Sequence, residues 1–327
     1  MLPSMPPLAR RRAVLAQCFS LAAASLFVPR LRAAPPDPAR WQRLDASLKQ
    51  LASNVDGQLG VCVRDLNDGG ALSFNGAQRF PMHSTVKMIV TASLAERIAR
   101  GEVGLRQIAQ VPSEGRAGGQ GPVDRVLAAH GDQRVSVLAL MEAVMLESDN
   151  AACDAMFGLL GGPQTVDADL RRWGIPGIRV ERTMAQTYRP FQDRANAGAT
   201  YRAFMKNPGN DATPDGYAEF TVRLVNGRLI APAATTLVMD LFSRSRLAQD
   251  RLTAGLGAGW SVASRSGSGP TVDGRSSGTH HIAYATTAAG TRLVIAAFLG
   301  DAAGDAARRS AVLADVGRCV REAWQAA

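Results

Sequence analysis

A serine and a lysine three residues apart, Ser84 and Lys87, stand at the head of an apolar run, Val86 to Thr91, that reads as a helix. On a helix, positions i and i+3 share a face, so the hydroxyl and the amine can meet. A serine hydroxyl is a poor nucleophile at neutral pH until a neighbour takes its proton. A lysine whose pKa is lowered by burial or by nearby charge can do that. The pair alone reads equally well as a helix N-terminus with a lysine on its solvated side. Composition favours the chemical reading. Of 37 basic residues only three are lysine: Lys49, Lys87 and Lys206. The rest are arginine, which keeps its proton in a protein. Neither Lys49 nor Lys206 has a serine three residues before it.

Two further patterns follow in the chain. Ser148-Asp149-Asn150 falls at the break between two helical stretches, and Arg265-Ser266-Gly267 ends a strand-like run. Each has a plain structural reading, the first as a helix cap and the second as a strand-end turn. Taken in order, Ser84-Thr85-Val86-Lys87, Ser148-Asp149-Asn150 and Arg265-Ser266-Gly267 resemble the S-x-x-K, S-D-N and K-[ST]-G boxes of class A serine β-lactamases and their penicillin-binding relatives. The resemblance covers the chain from about Ala39 to Trp324.

It implies roles for named residues. Ser84 would attack the ring carbonyl of a cyclic amide, and Lys87 would take or relay its proton. Ser148 would carry a proton to the departing ring nitrogen. Asn150 would hydrogen-bond the substrate and Lys87, while Asp149 ties down the local backbone. Arg265, where the family usually has lysine, would bind the substrate carboxylate and bias Ser148. The substrate would lie along Arg265, Ser266, Gly267 and Ser268, with the backbone N–H groups of Ser84 and Ser268 as the oxyanion hole. No metal and no cofactor is needed.

The elements that must position these groups come from both ends of the chain. A helix is expected over Ala39–Leu51, a strand over Gln58–Asp65, then an Asn67-Asp68-Gly69-Gly70 hairpin turn into Ala71–Asn75. After the Ser84 helix, which ends near Arg100-Gly101, Val111–Gly121 is a glycine-rich loop. Helices follow over Val135–Met145, Ala151–Leu160 and Thr165–Trp173. Residues 178–210 lack periodicity. Thr213-Pro214 opens a helix, with further helices over Pro232–Phe242 and Arg246–Ala254. Strands Trp260–Ser266, Thr279–Thr287 and Thr291–Leu299 and an amphipathic helix, Arg308–Trp324, close the chain. The fold class is α/β of the α+β type: an antiparallel sheet from about 55–78 and 258–300, flanked by helices, plus an all-helical subdomain at about 84–255.

The 327 residues suffice for one large domain. Arg10-Arg11-Arg12 followed by the apolar stretch Ala13–Val28 resembles a twin-arginine export signal, residues 1–34, cleaved near Leu31-Arg32-Ala33-Ala34 to leave a periplasmic or secreted domain, 35–327. Its removal takes five arginines and no acid, lowering the net charge from +9 to +4. Nothing then points to nucleic acid or to a stable membrane anchor, and a monomer is expected. Cys62, Cys153 and Cys319 remain, an odd set that reads as small hydrophobes rather than a disulfide framework. Gly274-Arg275-Ser276-Ser277-Gly278 matches G-x-S-x-G, but a loop precedes it and a strand follows it, the wrong context for a nucleophile elbow. His280-His281 cannot chelate a metal as neighbours on one strand, because they face opposite ways.

Besides Arg265, the chain departs from the resembled family at a second functional position, on the loop after Ser148-Asp149-Asn150. Family members carry, on a long loop, a glutamate two residues past an arginine that activates the water releasing the acyl-enzyme. Here Arg182 matches the arginine, Met184 stands where the glutamate would, and Glu181 and Asp193 are the substitutes near the loop. Asn210 or Asp211 would pair with Arg182 at the neck of the 183–212 loop. Three functions therefore stand open: a β-lactamase opening penicillins or cephalosporins; a penicillin-binding protein or D-alanyl-D-alanine peptidase, acting on a peptidoglycan stem peptide with slow deacylation; and a non-catalytic cell-wall-binding relative.

Overall fold

The structure, a computed structural model, describes residues 37–325; the expected export signal lies outside the described residues. Five antiparallel strands make the central sheet: β1 (Gln58–Asp65), β2 (Ala71–Phe74), β3 (Trp260–Ser268), β4 (Thr279–Thr287) and β5 (Arg292–Gly300), in the spatial order β2-β1-β5-β4-β3. Strands from the two ends of the chain meet where β1 pairs with β5, Cys62 opposite Ala296. The apolar run of β5 is continuous because both of its faces are covered. Leu293, Ile295, Ala297 and Leu299 pack beneath α1 (Pro38–Ser53) and the closing helix, while Val294, Ala296 and Phe298 join the core on the other side.

That second core is built on α2 (Val86–Ala99), buried without interruption from Val86 to Ala95. A helix buried all round has no solvated face, so a lysine in its first turn cannot escape to water. Against it pack α4 (Val137–Glu147), α5 (Asn150–Leu160) and α6 (Pro163–Arg172), with α3 (Pro122–His130) lying on α4 and α5. Next come the short α7 (Met184–Tyr188), α8 (Ala197–Lys206), α9 (Pro214–Val225), α10 (Pro232–Arg244), α11 (Leu252–Leu256) and finally α12 (Ala306–Gln325).

Several expectations need correction. The helical block does not run unbroken from 84 to 255. Helix α9 lies against β1 and β5, with Tyr217 packed 5.9 Å from Phe298 between ring centroids. The helix expected over Arg246–Ala254 is mostly turn, shrinking to α11, and the last residues of β3 extend past Ser266 to Ser268. Strands Ile108–Val111 and Gln133–Ser136 pair in front of α4, in a stretch too short to show a period of two. The loop 183–212 holds α7 and α8; of α8 only Phe204 is buried outright, too little for a continuous apolar stripe to stand out in the sequence. Cys62, Cys153 and Cys319 are free thiols, the first two buried. No helix among the described residues is long and apolar enough to cross a membrane.

Candidate active site

The nucleophile turn precedes α2 rather than forming its first turn. His83, Ser84 and Thr85 make a 3₁₀ turn held by Thr85 Oγ1 on the Met82 carbonyl at 2.8 Å and by the Tyr217 hydroxyl on the Thr85 carbonyl at 2.7 Å. His83 sits at φ 49°, a left-handed conformation that a non-glycine residue holds only under outside constraint. Its ring is clamped at 5.6 Å from Phe204, 5.7 Å from His280 and 6.1 Å from Tyr188, stacked on each. Between α4 and α5 the chain turns through Ser148 at φ 60°, and Asp149 then caps α5 by accepting from Ala152 N at 2.8 Å. The cap and the left-handed residue together project Ser148 and Asn150 toward Lys87.

Lys87 Nζ lies 3.1 Å from Ser84 Oγ, 3.2 Å from Ser148 Oγ and 2.7 Å from Asn150 Oδ1, and it also donates to the Ser148 carbonyl. The amine is fully buried. Burial first, then the Arg265 charge, lowers its pKa to about 7. Arg265, also fully buried, donates from Nε to the Ser84 carbonyl at 3.0 Å, from Nη1 to the Met145 carbonyl at 3.2 Å and from Nη2 to Ser148 Oγ at 2.8 Å. One side chain thus ties β3 to the nucleophile turn and to the end of α4. The expected direct grip on a substrate carboxylate needs revision: an incoming anion meets the half-buried Ser148 and the exposed Ser268 before this guanidinium.

Gly267 explains how β3 comes so close. A Cβ there would stand 2.8 Å from the Met82 carbonyl oxygen and 3.3 Å from Thr85 N, so only glycine lets the strand reach the turn. The amide of Gly269 donates to the Gly278 carbonyl at 2.8 Å. Successive amides along an extended strand point to opposite edges, which directs the Ser268 N–H to the open edge of the sheet, on the side of Ser84. Ser266 lies half-buried between them, paired with His281 in register.

One cation escaped the sequence reading. Arg251, placed there in the middle of a helix, precedes α11 and donates to the carbonyls of Gly267 at 3.1 Å and His280 at 2.9 Å and to Ser268 Oγ at 2.7 Å. It supplies a second positive charge at the substrate end of β3. In a chain this rich in arginine no local signal singles it out.

The loop side differs from expectation. The neck is closed by a small sheet, Ile178–Val180 with Asn210–Ala212 with Phe80–Pro81. Asn210 Oδ1 accepts from the backbone of Glu181 at 2.9 Å and Arg182 at 3.0 Å, while Asp211 pairs with Arg79 and Arg179, not with the Arg182 guanidinium. Glu181 is exposed and lies 3.4 Å from Arg179; Asp193 caps the exposed turn at Ala195 and Asn196. Neither belongs to the Ser84 cluster. Met184 is buried, 1 % exposed, in the helical core. The carboxylate beside it is Asp154, which accepts from Met184 N at 2.6 Å and Ala185 N at 2.8 Å and whose pKa burial raises to about 6. His280 and His281 face opposite ways as expected, His280 Nε2 2.7 Å from the Pro81 carbonyl and His281 Nδ1 accepting from Leu252 N. Ser276, the serine of the G-x-S-x-G match, is buried with its hydroxyl on the Gly278 carbonyl at 3.2 Å, and Ser277 beside it is buried against His83.

Behind Asn150 two carboxylates share a buried corner. Asp149 accepts from three backbone amides: Ala152, Val123 and Asp124. Asp124 accepts from Asn150 N at 3.2 Å, but its Oδ1 has no hydrogen-bond partner. Burial, and then the charge of Asp149, push the Asp124 carboxyl up. A carboxyl whose folded pKa exceeds its unfolded value weakens the fold as pH rises through that interval. Asp124→Asn is therefore expected to leave stability at pH 8 within about 0.5 kcal/mol of the parent, or above it. Asp149→Asn, which takes a charged acceptor from three amides, should lower it by about 1.5–3 kcal/mol. Urea unfolding of both variants at pH 8 checks the pair.

Comparison with known proteins agrees with this geometry. Residues 43–324 match the profile described as the beta-lactamase enzyme family. The curated relative Beta-lactamase L2 of Stenotrophomonas maltophilia is 29% identical over 318 residues, covering 95% of this chain and 97% of its own. A β-lactamase structure from Xanthomonas campestris pv. campestris superposes with a TM-score of 0.73 at 26% identity, covering 87% of this chain and 98% of that one. A reconstructed last common ancestor of Gram-negative class A β-lactamases gives 0.73 at 28% identity over 86% of this chain and 99% of its own.

Proposed function

The chain belongs to the beta-lactamase enzyme family, and from that premise we propose that it opens β-lactam rings through an acyl-enzyme on Ser84. The observation that carries this reading is the lysine between two serines. A neutral amine has two hydrogens and one lone pair. The Ser148 carbonyl and Asn150 Oδ1 are pure acceptors and claim the hydrogens, which leaves the lone pair for a hydroxyl, Ser84 at 3.1 Å. As Ser84 attacks the ring carbonyl, its proton passes to Lys87, and the new negative charge on oxygen falls beside the Ser84 and Ser268 amides. The protonated lysine then donates to Ser148 Oγ, 3.2 Å away, and Ser148 delivers its own proton to the ring nitrogen as the C–N bond breaks. Arg265 donates to Ser148 Oγ and so favours the oxygen as it loses that proton. Arg251 and Ser268 stand where the substrate carboxylate would be held.

Met184 favours a second reading of the same centre, a penicillin-binding or D-alanyl peptidase-like protein that is acylated and released slowly. Export rests on the Arg10-Arg11-Arg12 segment and its apolar successor, and it would place the 35–327 domain, as a monomer, in the periplasm or outside the cell. The deciding experiment follows a chromogenic cephalosporin by absorbance and weighs the protein with a penicillin, mapping any adduct by proteolysis. Many turnovers with transient mass on the Ser84 peptide support the lactamase. A stoichiometric, lasting adduct on that peptide supports the slow reading. No adduct removes both.

A further inference from the structure

Outside the Ser84 centre, a cavity of about 430 Å³ opens between α5 and the Ile108–Val111 strand. We propose that it is a binding site for a small apolar monocation, an aryl or alkyl ammonium. Its volume lies in the range of small-molecule pockets, and its walls are mainly apolar with a few polar groups converging on them. One face of α5 supplies Ala151, Ala155, Gly158 and Leu159.

Gly158 is the informative wall residue. It sits inside a helix, where glycine is disfavoured against alanine, and φ there is not positive. The helical glycines Gly216, Gly255 and Gly317 each admit a close neighbour; Gly255 would place a Cβ 1.8 Å from the Ala314 carbonyl oxygen. At Gly158 a Cβ would meet nothing within 4 Å. The absent side chain serves no packing contact, and what it leaves is the open cavity.

The charges select the ligand. Asp154 and Glu114 line the cavity, and no lysine or arginine pairs with either among the described residues. Arg116, the cation on the wall, is turned to α3: its Nη1 donates to the Asp124 carbonyl at 2.9 Å and lies 4.0 Å from Asp124 Oδ1. Each Asp154 oxygen accepts one loop amide and retains a second lone pair for an ammonium. An anion would face the Asp154 and Glu114 carboxylates instead.

The test uses the full chain and no β-lactam, so its result is independent of the reading above. Tryptamine, protonated at neutral pH, and indole-3-propionate, of similar size and opposite charge, are titrated separately by calorimetry and by amide NMR. Tryptamine is expected to bind at least about tenfold more tightly, with shifts on α5 and residues 108–116. Gly158→Phe, which fills the cavity, should weaken it at least about tenfold, while Gly158→Ala retains it. Equal affinity of the two probes, no binding of tryptamine, or binding that persists unchanged in a folded Gly158→Phe variant would each overturn the proposal. The comparison of probes on the unaltered protein decides even if the phenylalanine variant does not fold.

Discussion

Replacing Lys87 with methionine is expected to slow acylation of Ser84 about 10²–10⁴-fold, the usual loss when a positioned base is removed. Methionine suits the buried position in size and polarity, so the fold should survive. The Ser148 carbonyl and Asn150 Oδ1 lose their donor, at about 1–3 kcal/mol for each buried acceptor left bare. Stopped-flow acylation with a chromogenic cephalosporin gives the rate, and circular dichroism confirms folding. The unaltered protein carries its own internal test. Only the neutral amine can take the serine proton, and its pKa is lowered to about 7, so the acylation rate should rise with pH through that value and level off above it. The methionine variant should lose that rise. A variant acylated as fast as the parent, with the same pH profile, would remove Lys87 from the mechanism.

The second large effect concerns release. Met184→Glu is expected to shorten the life of the acyl-enzyme about 10²–10⁴-fold while leaving acylation within severalfold of the parent. The introduced carboxyl would enter a site where methionine is 1 % exposed and where Asp154 already has its pKa raised to about 6. Burial and a neighbouring carboxylate both push a carboxyl upward, toward the range where it can take a proton from water near neutral pH. Decay of the adduct mass after rapid removal of free penicillin measures the lifetime. If the lifetime is unchanged, this side chain does not reach the ester. If the unaltered protein already turns over rapidly, a group other than a loop glutamate activates the water.

These effects also show where sequence reasoning worked. The S-x-x-K spacing needs only helical geometry to bring a hydroxyl to an amine, and the two meet at 3.1 Å. Thr213-Pro214 opens a helix through local chemistry alone: the threonine hydroxyl accepts from Gly216 N at 3.0 Å. The hairpin turn at Asn67–Gly70 between Gln58–Asp65 and Ala71–Phe74 likewise depends on neighbours in the chain. Arg251 shows the opposite case. Its function as a clamp on Gly267, His280 and Ser268 arises from residues 16 to 29 positions away. Helix α9 is assignable by its cap, but its place against the sheet depends on Tyr217 meeting Phe298, which packs in turn on Phe80, contacts that no local pattern encodes.

For the opening pair, the sequence by itself determined the residue types, their order and their spacing: a serine with a scarce lysine one turn away, a capped break carrying Ser148 and Asn150, and an arginine near the end of a strand. It also showed that methionine stands where a loop glutamate would. Tertiary structure alone decided that the lysine is buried beside Arg265, which lowers its pKa to about 7, and that Arg265 spends its donors on Ser84, Met145 and Ser148. It decided too that Glu181 and Asp193 lie outside the cluster. Hydrogen-bonding types and helical spacing are local properties of a chain, whereas desolvation and the distance between charges belong to the packed assembly.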